Sequence, residues 1–244
     1  MPNGGRRTAW TRPYYPHAGD EVATAASHTG IFMSAAHWAN LIVHVGAGTV
    51  ALAIGSVLLY RRKGTAEHRR WGRIFCYFTL LVALSALMGT VLFRFIPLFA
   101  VLTLLVPYQL VSGWRSVHTQ ARGPAAIDGV LTLVALASAA ALVPVLLAHP
   151  AGRGIVVYSS LGALGMNLAY DTLRWLFPRR WFATLWRYDH SYKLIASFFG
   201  MLSALVGNVV RVGQPWSQIA PSAIGLLTVL YFFYRLSRRS PAVA

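Results

Sequence analysis

The residues in this sequence that are best suited to chemistry are a few ionisable and amide side chains inside long apolar segments. Between residues 154 and 176 these side chains are Asn167, Asp171 and Arg174, at spacings of four and three. Side chains at such spacings share one face of an α-helix. A charged group facing lipid is costly, so this face is expected to point at another helix or at a cavity.

A second polar face runs along the segment from 189 to 210 and carries His190, Lys193, Ser197 and Asn208. We expect the two faces to meet, with Asp171 pairing with Lys193 or Arg174. This pairing is either an interhelical salt bridge alone or part of a site whose protonation changes. In the second case Asp171 and His190 are the titrating groups, since histidine titrates near neutral pH and a partly buried carboxylate can be shifted towards that range.

Three histidines, His68, His118 and His190, are expected at a similar depth near one end of the bundle. A b-type haem needs two histidines on facing helices at matching depth, so haem stays an open alternative. The same histidines, with Glu67, Asp128 or Asp171, could hold zinc, but neither HxxxH nor HExxH occurs in the sequence. His44 is expected in the opposite half, as a hydrogen-bonded histidine between helices, a ligand or a proton relay.

Sequence motifs exclude several common activities. GxxxxGK[S/T], GxGxxG and GxSxG are all absent, which argues against nucleotide hydrolysis, a dinucleotide domain and an elbow-type serine hydrolase. The one cysteine, Cys76, excludes an internal disulfide, a four-cysteine zinc site and a CxxC redox pair. These residues leave open whether the chain is an enzyme.

The composition is that of a chain solvated by lipid. Of the 244 residues, 56% are hydrophobic and 11% are charged, whereas about a quarter of the residues in a soluble domain are charged. At about 20 residues per crossing, the apolar segments predict an all-α polytopic transmembrane bundle of seven helices. The run from 71 to 115 is divided at Arg94 and Pro97, since one helix of that length would exceed twice the bilayer thickness. The helices are expected near 33–60, 71–94, 96–115, 125–148, 154–176, 189–210 and 217–236.

Basic residues are concentrated in alternate connections between these helices. Sixteen of the 22 Lys and Arg residues lie in four segments, 61–73, 113–124, 174–193 and 235–244. The positive-inside rule therefore predicts an amino end outside and a carboxyl end in the cytoplasm, in a cell inner membrane. The first of these segments, RRKGTAEHRRWGR, then forms a cytoplasmic turn whose charge also attracts anionic lipid headgroups. The net charge of +16 does not indicate nucleic acid, because no soluble basic domain is present.

Three regions are expected along the chain. Residues 1–30 form a polar extracytoplasmic tail, 31–238 the transmembrane domain and 239–244 a short cytoplasmic tail. The first region is rich in Gly, Pro and Ala and has no apolar periodicity. Its twin arginine at positions 6 and 7 is not followed promptly by an apolar core, so no cleaved signal is expected.

The first apolar segment has a face of small residues, Gly48, Ala51 and Gly55, in line with His44. Small residues let a neighbouring helix approach closely, so this face predicts a helix interface. The neighbour is either a helix of the same chain or a helix of another membrane subunit.

Two stretches, HVGAGTVALAIGSVLLYRRKGTAEHRRWGRIF and YDHSYKLIASFFGMLSALVGNVV followed by QIAPSAIG, resemble the signature of a bacterial family of uncharacterised multispanning membrane proteins. The resemblance covers most of 40–236, implies a multispanning fold and supplies no activity. The family's repeated methionine in the penultimate helix is only partly kept, as Leu194 and Met201. The matching positions are His44, Gly48, Gly55, Gly64, His68, Arg69, Gly72, Arg73, His190, Asn208 and Pro221.

These features together predict an integral membrane protein that binds or transports a small amphipathic or anionic molecule. The ligand is expected in a cytoplasm-facing polar pocket between the second, fifth and sixth helices, where Asp171 and His190 respond to proton occupancy. Two alternatives stay open. One is a haem-binding or redox membrane subunit, and the other is a structural subunit of a larger membrane complex.

Overall fold

The chain folds into long α-helices joined by short connections. A computed structural model describes residues 34–238, and the tails expected over 1–30 and 239–244 lie outside this range. No strand occurs within 34–238, so the prediction of an all-α fold is confirmed there. From His37 onward these residues belong to one compact unit, which contains every contact given below. The helices are α1 (Ala35–Tyr60), α2 (Ala66–Met88), α3 (Pro97–Thr119), α4 (Ala126–Ala148), α5 (Ile155–Leu173), α6 (Phe182–Val209) and α7 (Trp216–Ser237).

All of these helices except α5 are long and apolar enough to cross a membrane. α5 has 19 residues, which at 1.5 Å per residue nearly matches a hydrocarbon layer about 30 Å thick. Ser159, Ser160, Asn167 and Asp171 keep the hydropathy of this short helix below that of the membrane-spanning stretches of the other helices. The fold is therefore that of a multispan membrane protein, and α5 carries the first predicted polar face.

α2 and α3 are separated where the sequence predicts a turn. α2 continues into a π-helical turn over Gly89–Phe93, and Arg94 then takes an extended conformation with φ of −148°. Pro97 begins α3, at a position where the missing N–H of proline has no helical partner to lose. The prediction that the run from 71 to 115 contains two helices is confirmed.

α3 is the most buried of the helices that qualify as membrane spans. At its Gly113 an added Cβ would lie 2.6 Å from the Cβ of Lys193 and 2.5 Å from the Cδ2 of Leu194, both on α6. A residue with a side chain would have to push the two helices apart, so glycine permits this close approach. The contact brings the polar part of α6 against α3.

Apolar side chains of α3 contribute to two regions of the core. Val106 and Leu110 pack with apolar residues of α1, α2, α6 and α7. Leu105 and Tyr108 pack with residues of α4 and α5. α3 therefore connects the two halves of the bundle. Large apolar side chains also point outward on the peripheral helices, as a chain surrounded by lipid requires.

The small-residue face of α1 is a helix interface, as the sequence predicts. Ala47, Ala51 and Gly55 are the buried residues of this helix. A Cβ at Gly55 would lie 2.4 Å from the ring of Phe198 on α6 and 3.1 Å from the ring of Phe75 on α2. The neighbours of Gly55 are helices of the same chain.

Replacing Gly55 with alanine should destabilise the protein, because the new methyl group would overlap the Phe198 ring. Overpacking of this kind lowers the free energy of unfolding by about 1–3 kcal/mol. Gly46 lies on the same helix and has nothing within 4 Å of an added Cβ, so Gly46→Ala is the matched control and should be neutral or slightly stabilising. Thermal unfolding of both variants in detergent, followed by circular dichroism, measures the difference. Equal effects would contradict the packing of Phe198 on α1.

Candidate functional site

Two opposite charges are buried between α5 and α6. The Nζ of Lys193 donates to both carboxylate oxygens of Asp171, at 2.6 and 2.7 Å. Lys193 is 0% exposed and Asp171 is 5% exposed. Taking a charge out of water is costly, and a close counter-charge offsets much of that cost. The ion pair therefore offsets much of the cost of burying each charge in the bundle. The predicted salt bridge is confirmed.

A second ion pair extends this site. The Nη1 of Arg174 donates to the Oδ2 of Asp189 at 2.5 Å and lies 3.6 Å from the Oδ1 of Asp171. Arg174 and Asp189 are both buried. We refer to Asp171, Arg174, Asp189 and Lys193 as the charge cluster. With two positive and two negative groups, the charge cluster is neutral overall.

Tyrosine hydroxyl groups complete the hydrogen bonding of the charge cluster. Tyr108 of α3 donates to the Oδ2 of Asp171 at 2.6 Å, and Tyr170 of α5 donates to Asp189. Hydrogen bonds to a carboxylate stabilise its ionised form. Nearby, Tyr192 of α6 accepts a hydrogen bond from the Nδ2 of Asn167 at 2.9 Å. The polar groups thus come from α3, α5 and α6.

The helix that completes the site differs from the sequence prediction. We expected a polar pocket between α2, α5 and α6, but Tyr108 of α3 occupies the position expected for α2. The reason is the close approach of α3 to α6 at Gly113, which places α3 beside Lys193. The side chains of the charge cluster are packed against one another, and the depressions found on the surface are lined by other residues.

The connection between α5 and α6 explains how the charge cluster forms. Short 3-10 turns over Arg174–Leu176 and Arg179–Trp181 lead directly from the end of α5 to the start of α6. The last turn of α5 therefore lies beside the first turns of α6. Arg174 follows the C-terminal end of α5, where a positive charge interacts favourably with the helix dipole.

Two polar atoms beside these ion pairs have no hydrogen-bond partner among the described residues. They are the Nε of Arg174, a donor, and the Oδ1 of Asn167, an acceptor. Both residues are at least nine-tenths buried. An unpaired buried polar atom costs about 1–3 kcal/mol. A polar group of a bound molecule would therefore gain the most binding free energy from a hydrogen bond to one of these two atoms.

Three residues of the second polar face do not join the charge cluster. The Nδ1 of His190 lies 3.1 Å from the carbonyl oxygen of Gly113 on α3, whereas the sequence placed His190 in one site with Asp171. Because α3 packs so closely at Gly113, the imidazole reaches a carbonyl of α3. Ser197 and Asn208 donate to carbonyl oxygens of their own helix, those of Leu194 and Ala204.

The structure separates the three histidines that were considered for haem or metal. His68 lies in the first turn of α2, where the Oγ1 of Thr65 accepts the backbone N–H of His68 at 3.1 Å. Its Nδ1 is buried without a partner, and it lies within electrostatic range of His190. His118 is exposed, and its Nδ1 lies 3.1 Å from the carbonyl oxygen of Trp114. Within 34–238, no three His, Cys, Asp or Glu residues are grouped so as to hold a metal.

Glu67 and His44 lie away from the charge cluster. Glu67 is exposed and forms an ion pair with Arg61 in the turn between α1 and α2. The Nδ1 of His44 lies 3.0 Å from the Oγ of Ser85 on α2, and Asn40 donates to the Ser85 carbonyl at 3.1 Å. His44 therefore has the interhelical hydrogen bond that was one of its three predicted roles.

Positive charge without a carboxylate partner is concentrated at one end of the helices. The described chain contains four carboxylates, Glu67, Asp128, Asp171 and Asp189, and each forms an ion pair. The connections and the adjoining helix turns at the end that carries the charge cluster hold most of the remaining Lys and Arg residues. We call this end the basic end. The connections at the other end contain Arg94, Arg153 and Arg211.

Lys63 lies in the connection between α1 and α2 at the basic end, next to α7. Its Nζ donates to the carbonyl oxygen of Leu59 at 3.0 Å and lies 4.7 Å from the centre of the Phe232 ring. Partial burial of the ammonium group, together with repulsion from Arg235, lowers the pKa of Lys63 to about 8. An anion bound nearby would raise this pKa again, since a neighbouring negative charge favours the protonated form.

Asp189 is the main residue of the site that sequence reasoning did not select. It lies four residues before Lys193, so the two share a helix face, and this spacing was the available signal. Its neighbour His190 drew attention instead, because histidine titrates near neutral pH. Tyr170 was missed because an aromatic residue in a membrane helix is ordinarily assigned to packing.

Comparisons of the chain with protein-family models, with curated proteins and with solved structures found no match.

Replacing Lys193 with methionine should destabilise the protein, because it leaves the buried Asp171 without its closest counter-charge. Breaking a buried pair in this way costs about 3–5 kcal/mol. The double variant Lys193→Met and Asp171→Asn removes both charges and should recover most of that loss. The matched control is Arg61→Met in the exposed Arg61–Glu67 pair, where the change should be about 0–1 kcal/mol. Thermal unfolding in detergent measures all three. A double variant no more stable than Lys193→Met would show that the two charges do not depend on each other.

Proposed function

We propose that this multispan membrane protein lies in the cell inner membrane and binds a small amphipathic anion, which it transfers between the cytoplasmic side and the bundle. The basic end is the cytoplasmic end in this proposal, in line with the positive-inside rule, and the amino end is outside. The observation that carries the proposal is the charge cluster, in which two cations are buried among membrane-spanning helices.

The distribution of charge supports an anionic ligand. Every carboxylate within 34–238 is already paired, whereas many arginines of the basic end have no carboxylate partner. An excess of positive charge at a surface raises the local concentration of anions and their rate of association. An anion that reaches the bundle also meets two buried donors, the Nζ of Lys193 and the unpartnered Nε of Arg174.

The neutrality of the charge cluster determines how an anion could bind there. Adding one negative charge to two balanced ion pairs leaves an uncompensated charge in a medium of low dielectric constant, which is strongly unfavourable. A proton taken up by Asp171 or Asp189 would restore neutrality while the anion replaces that carboxylate beside Lys193 or Arg174. Binding of the anion is therefore coupled to proton uptake, with Asp189 in place of His190 as the second titrating group.

Binding of decanesulfonate tests this proposal, because the charge of this amphipathic anion is constant near neutral pH. We expect isothermal titration calorimetry in a neutral detergent to show tighter binding at about pH 6 than at about pH 8, since the complex takes up a proton. Decyltrimethylammonium, with a similar chain and the opposite charge, should not bind. The double variant Lys193→Met and Asp171→Asn should weaken decanesulfonate binding about tenfold or more and remove its pH dependence.

The control variant for this measurement is Glu67→Gln, which removes a carboxylate at the exposed surface of the basic end. It should leave both the affinity and the pH dependence unchanged. If decanesulfonate and decyltrimethylammonium bind equally, the ligand is recognised by its apolar chain alone and the proposal is wrong. If binding is selective for the anion but independent of pH, the proposed anion site is supported and the proposed coupling to proton uptake is wrong.

A haem or redox role is a second candidate, favoured by the position of His68 and His190. These residues lie on α2 and α6 within electrostatic range of each other. The hydrogen bond from the Nδ1 of His190 to the Gly113 carbonyl leaves its Nε2 as the free nitrogen. Ligating histidines are commonly oriented by a backbone carbonyl in this way.

An absorption spectrum of the purified protein, with and without added haemin, tests the haem role. A Soret band that is lost in His68→Ala and in His190→Ala, but kept in His118→Ala, is the result expected if these two imidazoles are the axial ligands. His118 is the control because it is exposed and its ring is hydrogen-bonded to the Trp114 carbonyl of its own helix. A spectrum after addition of haemin that is the same as that of free haemin in the same detergent would exclude this role.

A further inference from the structure

The start of α6 carries a surface groove outside the charge cluster. The groove has a volume of about 460 Å³. It opens at the basic end, where the 3-10 turn Arg179–Trp181 joins the first turns of α6. The residues that line it are Arg180, Trp181, Ala183, Thr184, Leu185 and Tyr188.

The lining residues separate a polar side from an apolar side. Arg180, Thr184 and Tyr188 follow one another at intervals of four residues, which places them along one side of the segment. Trp181 and Leu185 follow the same interval one position further on and form an apolar strip beside the polar one. Trp181 is 49% exposed. The groove therefore offers hydrogen-bond donors next to an open apolar surface.

The charge of the groove is positive and is not neutralised by the protein. Arg179, Arg180 and Arg187 form no ion pair with another described residue, since the carboxylates within 34–238 are engaged elsewhere. The guanidinium group of Arg187 lies over the Trp186 ring, 5.5 Å from its centre. An anionic ligand would therefore supply the negative charge that these arginines lack within the protein.

A second depression at the basic end differs in this respect. It is lined by Arg61, Arg62, Thr65, Ala66 and Glu67. There Arg61 already forms an ion pair with Glu67, and the lining contains no large apolar side chain. The two depressions resemble each other in basic charge and differ in their counter-charge and apolar surface. The second one is thus an internal control for the first.

We propose that the groove at the start of α6 binds an anionic phospholipid, with Arg180 and Thr184 on the phosphate and the acyl chain along Trp181 and Leu185. Guanidinium groups recognise phosphate oxygens through paired hydrogen bonds, and a tryptophan at a membrane interface packs against the chain region below the headgroup. A free phosphate ion would gain nothing from the apolar strip. The inference goes beyond the proposed function and does not depend on it, because none of these residues belongs to the charge cluster.

Native mass spectrometry of the full chain in neutral detergent, with phosphatidylglycerol added, tests this inference. We expect one phosphatidylglycerol to stay bound and phosphatidylcholine, whose headgroup is neutral overall, to bind far less. Arg180→Gln should weaken phosphatidylglycerol binding about tenfold, as expected for the loss of a charge-assisted hydrogen bond. Thr184→Ala should weaken it by a smaller factor. Arg62→Gln, which removes the same charge from the second depression, should leave it unchanged.

The inference is overturned by any of three results. If Arg180→Gln and Arg62→Gln weaken binding equally, the lipid is attracted by the overall charge of the basic end and not by the groove. If inorganic phosphate displaces the lipid at similar concentration, the ligand is a free anion. If the Arg180→Gln variant does not fold, the Thr184→Ala variant tests the inference instead. Unchanged phosphatidylglycerol binding in Thr184→Ala would show that the lipid does not bind in the groove. Decanesulfonate binding in the same preparations separates this outcome from the proposed function, since loss of either can occur while the other is kept.

Discussion

The ion pair between Lys193 and Asp171 is the interaction on which the rest of the bundle depends. A fully buried ammonium group in a chain surrounded by hydrocarbon is tolerated only with a counter-charge at hydrogen-bonding distance. That requirement fixes the rotation of α6 relative to α5, because Lys193 has to point at Asp171. Once α6 is oriented in this way, Asp189, one turn earlier, faces Arg174. One salt bridge thus sets the second.

The balance of charge follows from the same requirement. A carboxylate inside the membrane needs a cation, and the buried Asp171 and Asp189 are both matched by cations on the facing helix. Asp128, at the start of α4, is paired with Arg115 at the end of α3. Three of the four acidic residues of the described chain, Asp128, Asp171 and Asp189, therefore hold helices together. The basic residues left over lie in the connections and in the helix turns next to them.

The sequence predicted the elements of this fold better than their arrangement. Helix positions, the break before Pro97 and the small-residue face of α1 depend on neighbours along the chain, and they could be predicted from local spacing. The pairing of Asp171 with Lys193 or Arg174 was also predicted, because ions of opposite charge on membrane helices have few other partners. The role of α3 could not be predicted, since it depends on how closely Gly113 lets α3 approach α6. The same approach turned His190 away from Asp171 and onto a carbonyl of α3.

α6 carries both candidate anion sites on different sides. Successive residues of an α-helix are rotated by about 100°, so Tyr188, which lines the groove, and Asp189, which belongs to the charge cluster, point in clearly different directions. A lipid in the groove would therefore not touch the buried ion pairs. It would hold the start of α6, and the position of that end sets the distance between Asp189 and Arg174. The first turns of α6 thus connect the lipid-facing surface to the centre of the bundle through a rigid helix, without any shared ligand.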